Sequence, residues 1–171
     1  MRPQVRARGR ALRLPPGHRS GGDPSGRGDE GPGGIRDVEF LVQSLQLLHG
    51  GREPRLRTGG LLSALEGLES GAFLPRGVAE DLRAAYLWLR RAEHALQWIE
   101  ERQTHRLPSG PVDRLAVARR MGYWEPEGDR ARRHFESDLT HFRDLVRTHF
   151  EALVLAADAR LASDGGEGEC R

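Results

Sequence analysis

The sequence contains no lysine: all 27 of its basic residues are arginine, set against 25 acidic ones. Arginine does not deprotonate in the accessible range. The net charge of +2 therefore persists until cysteine and tyrosine titrate, and the pI near 9.3 is no argument for nucleic acid. Cysteine is nearly absent too. Cys170, beside the C-terminus, has no second cysteine to pair with, which excludes an internal disulfide framework and fits a reducing cytoplasm. Aromatic residues make up 6% and hydrophobic residues 37% of 171 positions, enough for one domain with a modest core. No apolar run approaches the roughly 20 residues of a membrane-spanning helix. The N-terminal arginines precede no apolar core of a secretory signal.

What is present divides unevenly. Residues 1–30 are dominated by Arg, Gly and Pro and show no apolar period. Such a stretch cannot bury enough surface to offset the entropy of ordering it, so it reads as a disordered arm. Its seven arginines stand without aromatics, a generic electrostatic feature. Binding of nucleic acid by the arm would show as steep salt dependence.

Order is expected from Gly31-Pro32-Gly33-Gly34. Ile35, Asp37 and Glu39 alternate with Arg36, Val38 and Phe40, which suggests a short strand over 31–40. Helical spacing then takes over. Phe40, Leu41, Leu45 and Leu48 mark a first helix, stopped by Gly50-Gly51 through left-handed backbone. After the polar loop 52–55, Thr58 is the candidate cap of a helix with Leu61, Leu62, Leu65 and Leu68 inward. The strongest period runs through Val78, Leu82, Ala85, Leu89, Ala92, Leu96 and Ile99, with Tyr86 and Trp88 broadening the stripe. It predicts one helix over 78–103, roughly 39 Å long. A short helix over 112–121 follows Leu107-Pro108-Ser109-Gly110-Pro111 and ends at Gly122. The last helix starts near Asp129, with Phe135, Leu139, Phe142, Val146, Phe150 and Leu153 as its inner stripe, and fades after Leu161. The fold class is mainly α: an antiparallel bundle of about five helices over 41–161, with a disordered tail at 162–171.

Asp37 and Glu39 are the first candidates for chemistry. On a strand, residues two apart share a face. Two carboxylates held together repel unless a cation lies between them, and Mg²⁺ accepts carboxylate oxygens along with substrate phosphates. Acidic residues on a solvated edge strand would look the same. His134, Asp138 and His141, with His149 further along, share helical spacing, but no third or fourth ligand is apparent and a solvated face explains them. Arg52, Arg55, Arg57, Arg90 and Arg91 are candidate phosphate or carboxylate partners, with surface pairing to Glu53 and Glu93 the simpler role. Tyr86, Trp88 and Trp98 read as core.

One stretch carries more. Gly31-Pro32-Gly33-Gly34-Ile35-Arg36-Asp37-Val38-Glu39-Phe40-Leu41-Val42-Gln43 resembles the signature of the glutamine synthetase adenylyltransferase family. The similarity continues through Leu47-Leu48-His49-Gly50-Gly51-Arg52-Glu53-Pro54 and Ala85-Tyr86-Leu87-Trp88-Leu89-Arg90-Arg91-Ala92-Glu93-His94. It extends to Gln103-Thr104-His105-Arg106-Leu107-Pro108, Arg114-Leu115-Ala116 and Met121-Gly122-Tyr123. The Gln-Thr-His and Leu-Pro elements look more like the adenylyl-removing half of such enzymes than the adenylylating half. The resemblance implies a nucleotidyltransferase palm in which a Gly-Ser motif and an Asp-x-Asp pair hold Mg²⁺ and a third acidic residue completes the site. Asp37 and Glu39 stand where that third carboxylate is expected, and the choice between them stays open. His94 and His105 occupy family-like positions. The reaction implied is AMP transfer from ATP to a tyrosine of glutamine synthetase, or its phosphorolytic removal with phosphate as acceptor and ADP as product. Glutamine synthetase and the PII signal protein are the implied partners, in the cytoplasm, with neither membrane nor nucleic acid. The chain departs from the pattern in one respect: it holds no Asp-x-Asp and no Gly-Ser. It is therefore expected to be a truncated or mis-started product, inactive alone, or else a non-catalytic helical interaction module.

Overall fold

A computed structural model of the chain describes residues 32–97 and 107–164, with side chains to residue 155. The N-terminal arm, the stretch holding Trp98, Ile99 and His105, and the last residues with Cys170 lie outside the described part. Among the described residues there are five α-helices and no strand: α1 (Ile35–His49), α2 (Leu61–Ser70), α3 (Val78–Gln97), α4 (Pro111–Arg120) and α5 (Gly128–Asp164). A single 3₁₀ turn, Pro54–Leu56, joins α1 to α2. The mainly α bundle expected from the period is the observed architecture.

The expected strand is not there; Ile35–Phe40 forms the opening of α1. Six alternating residues fit a strand, yet Ile35, Val38, Leu41 and Val42 also fall on one helical stripe, and all four are buried. A helix satisfies its backbone groups within itself, whereas a strand needs a neighbour to pair with. The glycines before α1 shape its entry. Gly33 takes left-handed φ of +82° and Gly34 is extended, while the Asp37 carboxylate accepts the Gly33 N–H at 2.7 Å. An acidic side chain in the first turn also suits the positive end of the helix.

Two further expectations need correction. Gly50 ends α1 in right-handed conformation (φ −62°), not left-handed, because Arg57 donates to the Gly50 and Gly51 carbonyls and closes the turn instead. Thr58 does not cap α2: the N-cap is Gly60, and Thr58 Oγ1 only accepts the Gly60 N–H at 3.4 Å. The polar loop after α1 is more ordered than its composition suggests. Leu56 is buried, and the Gln46 amide donates to the Leu56 and Thr58 carbonyls at 2.6 and 2.9 Å. Gly122 stops α4 as expected, at φ +97°, with Tyr123 N–H on the Ala118 carbonyl and Gly122 N–H on that of Arg119.

Among the described residues the bundle holds two apolar clusters. The larger gathers Ile35, Val38, Leu41 and Val42 of α1 with Leu65 and Leu68 of α2, Leu82 and Leu89 of α3, and Val146 and Phe150 of α5. The smaller centres on Phe135, with Ala92 and Leu96 of α3 and Val117, Ala118 and Met121 of α4 and its end. Trp88 touches both. Among the described residues α5, 37 residues and about 55 Å long, and α3 serve both clusters. They run antiparallel: Asp81 meets His149, and Trp88 meets Phe135 and Phe142. Phe40 packs against Phe150 at the α1–α5 contact.

Candidate functional site

Placing Asp37 and Glu39 on a helix changes what they can do together. Residues two apart on a helix are separated by about 200°, so the two carboxylates flank the buried stripe of α1 on opposite sides. The shared-face argument that applied to a strand does not apply. Their surroundings differ as well. Asp37 has one oxygen on the Gly33 N–H and sits at the helix entry, half-buried. Glu39 accepts from Arg90 of α3 at 2.9 Å.

Arg90 is the hub of that second environment. It donates to the Tyr86 hydroxyl at 3.2 Å, to Glu93 at 2.8 Å and to Glu39 at 2.9 Å. Hydrogen bonds to Tyr86 and Glu93 raise its pKa further, so its charge is permanent. The expected Arg90–Glu93 pairing is present. The link to Glu39, fifty-one residues away, was not legible from spacing, since a contact between helices leaves no local period. Glu39 is thus bound into an ion network with Arg90, while Asp37 is held at the helix entry by the Gly33 N–H. Their placement on opposite sides of the α1 stripe does not suit one Mg²⁺ ion shared by the two.

The remaining candidates are dispersed. Arg55 pairs with Glu53 at 2.9 Å, and that hydrogen bond holds the Glu53 carboxyl below its ordinary range. Arg57 serves the backbone of the α1 turn, Arg91 donates to the Met121 carbonyl at 3.3 Å, and Arg52 is exposed. The histidine series on α5 does not converge. His134 pairs with Glu125 at 2.5 Å, Asp138 accepts from the Tyr123 hydroxyl, His141 lies edge-on to Phe142, and His149 meets Asp81 at 2.8 Å. Among the described residues no group of three or more His, Cys, Asp or Glu side chains could hold a metal ion. Tyr86 and Trp88 pack against the core as read, and the Trp88 indole N–H also reaches the Tyr123 hydroxyl at 3.3 Å. Burial, and then the bond to Asp138, pushes the Tyr123 phenol up to about 12. No helix of the described residues is long and apolar enough to cross a membrane.

Comparison with known proteins gives this geometry a context. The family described as GlnD PII-uridylyltransferase matches residues 29–154. A bifunctional glutamine synthetase adenylyltransferase/adenylyl-removing enzyme of Bordetella pertussis is 45% identical over 151 residues, 88% of this chain and 15% of that protein. The enzyme of the same name from Pseudomonas aeruginosa is 41% identical over 142 residues, 82% of this chain and 13% of that protein. The one from Xanthomonas oryzae pv. oryzae is 50% identical over 95 residues, 56% of this chain and 10% of that protein. The chain therefore spans about one seventh of the length of the first of these relatives.

Proposed function

The chain belongs to the GlnD PII-uridylyltransferase family, and from that premise we propose that it is the helical segment of a nucleotidyltransferase that regulates glutamine synthetase, contributing one carboxylate to the metal site. The observation that carries the reading is the stretch around Asp37, within the matched residues 29–154, with its acidic side chain at the entry of the bundle. The names of the relatives favour adenylyl chemistry on glutamine synthetase: AMP transfer from ATP to a tyrosine, or its removal with phosphate as acceptor. The Gln103-Thr104-His105 and Leu107-Pro108 elements favour the removing half.

In this reading Asp37 and Glu39 have separate tasks. Asp37, fixed by the Gly33 N–H, is a ligand of Mg²⁺ supplied jointly with carboxylates outside this chain. Glu39, held by Arg90, fixes α1 against α3 so that Asp37 is presented in one orientation. When bound, the metal neutralises phosphate charge and aligns the attacking group. ATP is then the substrate of transfer, and phosphate that of removal with ADP as product, in the cytoplasm. A lone carboxylate binds Mg²⁺ poorly, so the isolated chain is inactive. Incubating it with adenylylated glutamine synthetase and phosphate tests this: no ADP is expected, and release at an enzyme-like rate overturns it.

A second reading, a non-catalytic module that binds glutamine synthetase or the PII signal protein, draws on Leu47 and Leu48, both exposed at the end of α1. Saturable binding of either protein that is lost in Leu47→Asp but indifferent to Asp37→Asn favours it.

A further inference from the structure

Trp124 is 75% exposed, yet the backbone that carries it is tied down on both sides. Before it, the Tyr123 hydroxyl accepts from the Trp88 indole N–H and donates to Asp138. After it, Glu125 pairs with His134. A side chain presented on a fixed backbone loses little freedom when a partner covers it. Tryptophan is also among the residues that anchor protein contacts. Leu87 of α3 stands on the same side of the bundle. It is 46% exposed and lies one turn before Arg91, which donates to the Met121 carbonyl, three residues before Trp124. Ala84, also exposed, continues the apolar patch along the helix.

Charges flank the patch. Arg91 uses one terminal nitrogen on Met121 and keeps other donors for a second acceptor. Arg83, one turn before Leu87, stands 3.6 Å from Glu66, and among the described residues its Nε and Nη2 make no hydrogen bond. Arginine, leucine and arginine thus follow one another a turn apart, with the exposed Glu80 beyond Arg83 at the start of the helix.

We propose that Leu87 and Trp124 form a docking surface for another segment of a longer protein, one that sets an aliphatic side chain on the Leu87–Trp124 patch and a carboxylate on Arg91. The proposal rests on the reading of the chain as a segment of a larger enzyme. The chain spans 15% of the Bordetella pertussis relative, so most of that polypeptide lies outside the matched bundle. Charge selects the kind of segment. A basic one would meet two arginines, whereas a carboxylate gives Arg91 a charge-assisted hydrogen bond at the edge of an apolar contact that excludes water.

The test places residues 32–164 in the Bordetella pertussis relative, in place of its matched segment, with a photoreactive benzophenone amino acid at position 124. Irradiation is expected to cross-link position 124 to a peptide outside the graft that carries aliphatic side chains and a carboxylate, identified by mass spectrometry. Leu87→Asp should lose most of the cross-link, because it removes the apolar contact and repels the carboxylate. Leu87→Met, which keeps the volume, should retain it, as should Arg147→Gln on α5 beside Asp144. Hydroxyl-radical footprinting checks the unlabelled protein. Trp124 should be oxidised in the free full chain and largely protected in the graft. Trp88, packed on Phe135 and Phe142, should be protected in both and reports that the bundle is folded. The proposal is overturned by the absence of a cross-link outside the graft, by a cross-link to a segment without a carboxylate, or by one that survives Leu87→Asp. It is also overturned if Trp124 is oxidised in the folded graft as fast as in the free chain. A graft that moves AMP while Trp124 stays open overturns this proposal alone; a cross-linked graft that moves no AMP counts against the catalytic reading alone.

Discussion

The two apolar clusters of the bundle are built on different principles. The larger draws aliphatic side chains from four helices, and many of them are wholly buried. The smaller centres on its one buried aromatic, Phe135, among alanines, a leucine, a valine and a methionine, and is edged by polar clasps: Trp88–Tyr123–Asp138, Arg114–Glu136 and His134–Glu125. Redundant aliphatic packing tolerates local loss. A core with one principal occupant and directional bonds does not. The α4 end should therefore be the part of the bundle that opens first.

Phe135→Ala breaks the comparison most directly. It should cost about 3–5 kcal/mol, against about 2–5 for Leu82→Ala in the larger cluster. Hydrogen exchange distinguishes the two. In Phe135→Ala the amides of α4 should exchange well before those of α1 and α2, whereas Leu82→Ala should weaken protection throughout. Uniform loss in both variants would mean that the clusters are one cooperative unit.

Next in size is a pair of glycines, one at each cluster's margin. A Cβ at Gly33 would overlap the Arg143 carbonyl of α5, while one at Gly122 would meet nothing. Both have positive φ. Gly122→Ala should lower stability by about 1–2 kcal/mol, the cost of left-handed backbone alone. Gly33→Ala must also displace backbone and should lose clearly more, measured by denaturant unfolding.

The clasp of the smaller cluster makes a pH prediction. The folded state holds the Tyr123 phenol at about 12, above its ordinary value near 10. A raised pKa means that folding favours the neutral phenol. The contribution is fully present below pH about 10 and is lost as pH rises towards about 12. Tyr123→Phe should cost about 0.5–1.5 kcal/mol at neutral pH for the lost hydrogen bonds. The gap between parent and variant should then narrow above pH 10. A gap that stays constant to pH 12 would remove the clasp from the account.

The smallest effect expected is from Glu39→Gln. Its pair with Arg90 is part-exposed on both sides, so stability should fall by only about 0.2–1 kcal/mol.

The sequence made the helices legible because their stripes are long: the 3.6-residue period of α3 and α5 outlasts any competing pattern. It misled over 35–40, where six residues fit two periods at once and only the packing of Val38 and Leu41 decides between them. The stop at Gly122 was legible as a stop, while a left-handed stop was misread at Gly50, where the replacement for a left-handed turn is a side chain seven residues on, Arg57. The carboxylates were visible as residues and not as an arrangement. Glu39–Arg90 and Tyr123–Asp138 join elements far apart in the chain, and such contacts have no local signature.

The central claim is that this bundle presents Asp37 to a catalytic site completed elsewhere in a longer protein. Its most direct test grafts residues 32–164 in place of the matched segment of the Bordetella pertussis relative and follows AMP on glutamine synthetase by mass spectrometry. The account predicts that the graft supports transfer or removal of AMP, that Asp37→Asn in the graft abolishes it, and that Glu39→Gln reduces it less. A folded graft whose activity is unchanged by Asp37→Asn would contradict the account.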